Sequence, residues 1–239
     1  MEFKSINTGN WITKKVSKGA LCSALFSVLI IFLGIFFFWS GALKADELMP
    51  ASKYFVFNEG QYWRLWTALF AHADIPHLFG NLLLFFPFAY YLSGYFGIYF
   101  FPLLGFIMGG VTNFFVLQMM PEKVSLIGAS GVVHWMGAAW MTLAFLIDRR
   151  EKISKRLIKS IGISLILFLP DTYKPEISYS SHLIGYGLGA LSGIFLYFIF
   201  KQRFLKAEVI EFVPVEEVEF DWQNPEEETS SGLSDESNY

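Results

Sequence analysis

The chain has 239 residues, 54% of them apolar and 27 of them Phe, a composition suited to lipid as the main solvent and foreign to ordinary soluble domains. Its formal net charge of −3 hides a segregation of signs, with Lys and Arg at the ends of apolar segments and most acids after Ala207, so no basic surface for nucleic acid is implied. The single Cys22 lies inside the first apolar run, which excludes an intramolecular disulfide and leaves the redox compartment unread.

A helix needs about 20 apolar residues to cross a hydrocarbon core of roughly 30 Å, and only helices or closed barrels satisfy their backbone there. Residues 1–18, with Lys4, Lys14, Lys15 and Lys18, precede the first such run, Gly19–Ser40. That run is too long for a signal-peptide core and lacks a small-residue cleavage site in register, so it reads as a retained span. The loop Gly41–Pro76 follows, and its Phe55, Phe57, Trp63, Trp66 and Phe70 suit a loop resting in the interfacial zone. Further spans are predicted over His77–Gly94, Tyr99–Met120, Ile127–Ile147, Leu157–Leu169 and Ser180–Phe200. The fifth is short, and Pro170 and Pro175 stop its extension, so it must tilt, thin the bilayer or sit loosely. With the loop Pro170–Tyr179 it should form the loosest wall near His182 and the path by which substrate enters. From Lys201 to Tyr239 the chain turns acidic and reads as a disordered tail.

The predicted class is therefore all-α, a polytopic protein with a six-helix membrane domain at 19–200 between the segments 1–18 and 201–239. Lys and Arg concentrate before the first span, between the fourth and fifth (Arg149, Arg150, Lys152, Lys155, Arg156, Lys159) and after the sixth (Lys201, Arg203, Lys206). Six crossings put these groups on one side, and the positive-inside rule makes that side, with both termini, cytoplasmic. A compact chain of this kind suits a bacterial cytoplasmic membrane.

That topology gathers polar residues in one layer. The second, fourth and sixth spans all start from the outer face, and His77, Asn81, Ser130 and His182 lie within their first turns, at comparable depth. Ionisable groups in lipid are costly and point to function. A serine hydroxyl becomes a nucleophile when a base within reach takes its proton, which neutral histidine does near pH 7. The oxyanion that follows needs donors, and Asn81, His77 and backbone N–H groups at a helix start can supply them. His77 and Asn81, spaced i, i+4, share a helix face. Gly128-Ala129-Ser130-Gly131 permits a tight turn before the helix, although GxSG alone is a weak pattern. His182, Gly185, Gly189 and Gly193 form one stripe, readable either as a close approach that brings His182 to Ser130 or as simple helix packing with an incidental histidine.

Trp63-Arg64, His77-Leu-Phe-Gly-Asn81, Gly128-Ala-Ser130-Gly131 and His182-Leu-Ile-Gly185-Tyr-Gly-Leu-Gly189, in that order and on those segments, resemble the rhomboid intramembrane serine proteases over roughly Trp63 to Phe200. The resemblance implies a six-helix core, a Ser130–His182 dyad, and oxyanion stabilisation by His77, Asn81 and the Ser130 backbone. It also implies that Trp63 and Arg64 are scaffold in a loop partly in the outer leaflet. His134 stands where many bacterial rhomboids carry an aromatic residue that stacks on the catalytic histidine, so it is expected either to stack similarly or to share in the proton relay.

Other polar residues take plainer readings. His72 and Asp74 suit capping or an interfacial position, and Asn113 suits a hydrogen bond between helices. Asp148, Asp171 and Glu176 are poorly positioned to orient His182, which favours a dyad over a triad. No metal or cofactor is expected, since the histidines lack HExxH-type spacing. The expected function is cleavage of transmembrane or membrane-proximal peptide bonds in membrane-protein substrates, in contact with membrane lipid. The rivals are an inactive rhomboid-like protein that binds membrane clients and a small transporter, the latter disfavoured by the lack of intramembrane carboxylates.

Overall fold

The computed structural model describes residues 2–168 and 179–214. In chain order the elements are strand β1 (Phe3–Gly9), helix α1 (Ala20–Ser40), two one-turn helices α2 (Ala45–Leu48) and α3 (Arg64–Thr67), helix α4 (Ile75–Phe96), helix α5 (Gly105–Met119), helix α6 (Ser130–Ile147), helix α7 (Ile153–Phe168), helix α8 (Tyr179–Leu205) and strand β2 (Val209–Pro214). A wide turn over Tyr99–Leu104 leads into α5.

Among the described residues five helical stretches are long and apolar enough to cross a membrane: Ala20–Ser40, Ile75–Phe96, Tyr99–Met119, Ser130–Ile147 and Tyr179–Leu205. The protein is a mostly helical, multi-pass membrane protein. The α7 helix has 16 residues, with Lys155, Arg156 and Lys159 in its first turns, and is not one of the five. Most of the predicted loop Pro170–Tyr179 lies outside the described residues.

Two boundaries differ from the hydropathy reading for local reasons. The α6 helix starts at Ser130 rather than at Ile127, because Gly128 takes a φ of +108°, which no helix accommodates. Beyond Lys201 the sequence reads as irregular, yet α8 continues to Leu205 and Val209–Pro214 forms β2, an apolar β-forming run set among glutamates. The rest of that segment, 215–239, lies outside the described residues.

The β2 strand pairs antiparallel with β1, from Phe3 opposite Pro214 to Gly9 opposite Val209, and so joins the segments that precede and follow the helical domain in the chain. Side chains fasten this clasp to the helices. Asn10 Nδ2 donates to Asp148 at 2.8 Å, Trp11 Nε1 donates to the Tyr95 carbonyl at 2.9 Å, and Arg149 pairs with Glu208 at 2.7 Å.

At the other end, the loop between α1 and α4 is held by a buried cation. Arg64 is only 3% exposed, and its Nη1 donates to the Glu47 and Pro50 carbonyls at 2.7 Å each while Nε donates to Gln61. A guanidinium can be buried when its fork of donors is occupied in this way. Asn113 of α5 donates to the Leu65 carbonyl at 2.8 Å, fixing the loop to the helices.

The core is centred on α6, whose Trp135, Met136, Ala138, Ala139 and Leu143 are fully buried. Against it packs α8 through its glycine stripe. A Cβ on Gly185 would stand 2.2 Å from the Gly131 carbonyl oxygen, and one on Gly189 equally close to that of Trp135. The obstacles are backbone atoms and cannot rotate away. Gly189→Ala should therefore push α8 from α6 and cost about 1–3 kcal/mol of stability, as overpacking does. Gly187→Ala, facing open space, should be neutral or gain up to about 1 kcal/mol of helix propensity. Thermal unfolding of both variants in detergent checks this, and equal Tm values would contradict the close approach.

Candidate functional site

The site is built outward from the turn before α6. Gly128 needs its positive φ, and a Cβ there would also strike His77, 2.8 Å from both Cε1 and Nε2. The turn is tied to the loop by Gly128 N–H donating to the Ala68 carbonyl at 2.9 Å and by the pairing of Leu126 with Ala51. Released from the turn, the chain enters α6 with Ser130 as its first residue, and Ala129 before it provides no side-chain cap. The first-turn N–H groups of a helix have no acceptor within it and carry partial positive charge. The half-buried Ser130 hydroxyl thus stands at a helix start rich in backbone donors.

On one side of Ser130 lies α4. Asp74 caps this helix, accepting from the His77 N–H at 2.7 Å, and so sets the first turn that carries His77. Asn81 follows one turn later, 8% exposed, with its Nδ2 3.8 Å from where a Gly128 Cβ would be. On the other side lies α8. A Cβ on Gly131 would meet Ser181 Oγ at 2.7 Å, so the residue after Ser130 and the residue before His182 are in contact. The His182 ring stacks on His134, centroids 3.8 Å apart and planes 12° from parallel. His134 lies one turn beyond Ser130, and its Nδ1 is 2.8 Å from the Ser130 carbonyl oxygen. A carbonyl only accepts, so Nδ1 of His134 carries the proton of that bond. His77, Asn81, Ser130, His134 and His182 are thus gathered around the Gly128–Gly131 turn.

The carboxylates considered for His182 stand elsewhere or undescribed. Asp148 accepts from Asn10 and pairs with Arg150 at 2.8 Å at the far end of α6, and Asp171 and Glu176 lie outside the described residues.

His72 has a part that its place in the sequence did not reveal. Read as a capping or interfacial residue, it is instead wholly buried, with Nε2 3.0 Å from Asn81 Nδ2 and accepting from the Ala129 N–H at 3.4 Å. Its ring also meets that of His77 edge-on at 5.1 Å. Burial, aided by the neighbouring His77, pushes the His72 pKa down to about 4, against weaker opposing effects of the Phe70 backbone and Asp74. The only sequence signal was a further histidine five residues ahead of His77.

The Rhomboid domain family matches residues 59–199, from the middle of the loop between α1 and α4 through most of α8. No curated protein matches the chain.

The low pKa of His72 has a consequence for stability. Because the folded value lies below the ordinary 6.5, the unfolded chain takes up this proton first as pH falls. The stabilisation is complete above about pH 6.5 and is lost as pH drops through about 4, on the order of 3 kcal/mol for this one group. His72→Gln should show a smaller fall in Tm than wild type between pH 7 and 4, because it removes the titration while His77 and Asp74 remain. Parallel losses in the two proteins would mean that His72 is not buried neutral.

Proposed function

The chain belongs to the rhomboid family, and from that premise we propose that it is an intramembrane serine endopeptidase, cleaving transmembrane or membrane-proximal peptide bonds through Ser130 and His182. The observation that carries this reading is the stacking of His182 on His134, one helical turn from Ser130. Stacking limits rotation of the His182 ring, and the bond from His134 to the Ser130 carbonyl anchors the ring beneath it to the same turn as the nucleophile.

In the proposed reaction Ser130 Oγ attacks the scissile carbonyl carbon while its proton passes to the unprotonated nitrogen of His182. Negative charge then develops on the carbonyl oxygen. His77, the Asn81 carboxamide and the Ser130 N–H are the donors assigned to it, with the N–H groups of the first α6 turn adding to the field. The tetrahedral intermediate collapses as His182 returns the proton to the leaving amine. Water then repeats the sequence on the acyl-enzyme, restoring Ser130. His134 is assigned to support of His182 rather than to proton transfer, since its Nδ1–H is engaged by the Ser130 carbonyl.

The reading carries a topology of six crossings with both termini in the cytoplasm. Pairing of β1, ahead of α1, with β2, after α8, supports an even number of crossings, for paired strands lie on one side of a membrane. Adding α7 to the five long helices meets that requirement, and the Lys and Arg bias supports the cytoplasmic side. Membrane-protein substrates would approach between helices past α7. A cavity of about 290 Å³ separates α7 from α6 and α8, and a hydrogen bond of 2.8 Å between Ser164 and the Tyr186 hydroxyl links α7 to α8 across it.

Two tests follow from this mechanism. Ser130→Ala and His182→Ala should each abolish cleavage of a transmembrane reporter in proteoliposomes with little change in Tm. Turnover of Ser130→Ala equal to that of wild type would remove the nucleophile, and an inactive client-binding protein would show no cleavage in any form. Ser164→Ala should loosen α7 and speed cleavage of a membrane-embedded substrate more than of a soluble peptide, whereas equal effects on both would locate the gate elsewhere.

A further inference from the structure

Two groups meet at His72 Nε2, and together with it they determine which way the Asn81 side chain faces. The Ala129 N–H points at this nitrogen from 3.4 Å, and a backbone amide can only donate. Nε2 of His72 therefore holds a lone pair, and in the neutral ring the proton is on Nδ1. Asn81 reaches the same Nε2 at 3.0 Å, so it must present its NH2 group and not its oxygen, which would set lone pair against lone pair. One N–H of Asn81 is spent on this bond. The other remains on the nitrogen that lies beside the Gly128 turn, two residues ahead of Ser130.

We propose that His72 is a positioning residue that fixes the flip of the Asn81 carboxamide, so that an N–H and not a carbonyl oxygen faces the oxyanion. The inference rests on the protease reading above. With the opposite flip, Asn81 Oδ1 would face the developing negative charge and repel it, turning a donor into an obstacle. The fixing is rigid because His72 is fully buried and its own carbonyl accepts from Trp39 Nε1 at 2.7 Å. Burial also keeps the ring neutral near pH 7, its pKa pushed down to about 4, which preserves the Nε2 lone pair; the titratable groups facing it are His77 and Asp74. The two donors at Nε2 orient the ring from that side.

The side-chain amides separate this role from one of packing alone. Glutamine carries its amide where histidine has Nε2, so His72→Gln can offer an oxygen to both Asn81 and Ala129. Asparagine carries its amide where histidine has Nδ1 and cannot reach them. The experiment measures kcat and KM for a membrane reporter, with Tm, on wild type, His72→Gln, His72→Asn and each in the Asn81→Ala background. His72→Met fills the buried space without a strong acceptor and replaces His72→Asn should the latter not fold. His72→Asn or His72→Met should lower kcat at least tenfold, towards the about 10²–10³-fold loss of an oxyanion donor, with KM little changed. His72→Gln should restore most of the turnover. In the Asn81→Ala background the His72 substitutions should cost nothing further, since the group they orient is gone. The inference is overturned if His72→Asn and His72→Met keep wild-type kcat, if His72→Gln is as impaired as they are at equal Tm, or if their losses persist in full without Asn81. A wild type that neither cleaves the reporter nor reacts at Ser130 overturns the protease reading and this inference with it. An active wild type with indifferent His72 variants overturns the inference alone.

Discussion

The architecture depends on the approach of two backbones. Gly185 and Gly189 bring α8 so near α6 that no side chain fits between the glycines and the Gly131 and Trp135 carbonyls. In lipid there is no hydrophobic gain in bringing helices together, so van der Waals contact of this closeness has to supply the cohesion. It also sets a geometry. With the stripe seated on α6, the residues just ahead of it on α8 are delivered to the first turns of α6, which is why Ser181 meets Gly131 and His182 meets His134. The chemistry proposed for Ser130 is a by-product of helix packing that tolerates almost no displacement.

A second constraint holds the opposite wall. Ser130 can begin α6 only because Gly128 reverses the chain, and the missing Cβ at Gly128 is also the space that His77 occupies. Arg64, buried with Nη1 bonded to the loop's Glu47 and Pro50 carbonyls and Nε to its Gln61, keeps that loop in place, and the loop in turn holds the Gly128 and Leu126 backbone. The sides proposed for the oxyanion and for the dyad thus have separate supports, one a buried cation and a turn, the other a glycine stripe.

Much of this was legible in the sequence, and what was not is instructive. Spans such as Ala20–Ser40 and Ile75–Phe96 announce themselves because lipid demands long apolar helices, and Gly185 and Gly189 announce a close helix pair by their spacing. The β1–β2 clasp did not announce itself. Its strands are short, lie about 200 residues apart and carry no alternation strong enough to predict a partner. Neither did His72, since a histidine's worth depends on which nitrogen bears its proton, and only the arrival of the Ala129 N–H from a distant segment decides that. The α7 helix falls between these cases. Its shortness was visible in hydropathy, while the hydrogen bond of its Ser164 to Tyr186 of α8 required the register of both helices.

The central claim is that Ser130 is an activated nucleophile and that His182 activates it. A fluorophosphonate probe, with the adduct located by peptide mass spectrometry in lipid-reconstituted protein, reads this without requiring any knowledge of the substrate. The account predicts an adduct on Ser130 in wild type and its loss in His182→Ala, with the fold of that variant verified by its Tm. Absence of an adduct on Ser130 in wild type, or equal labelling when His182 is removed, would contradict it.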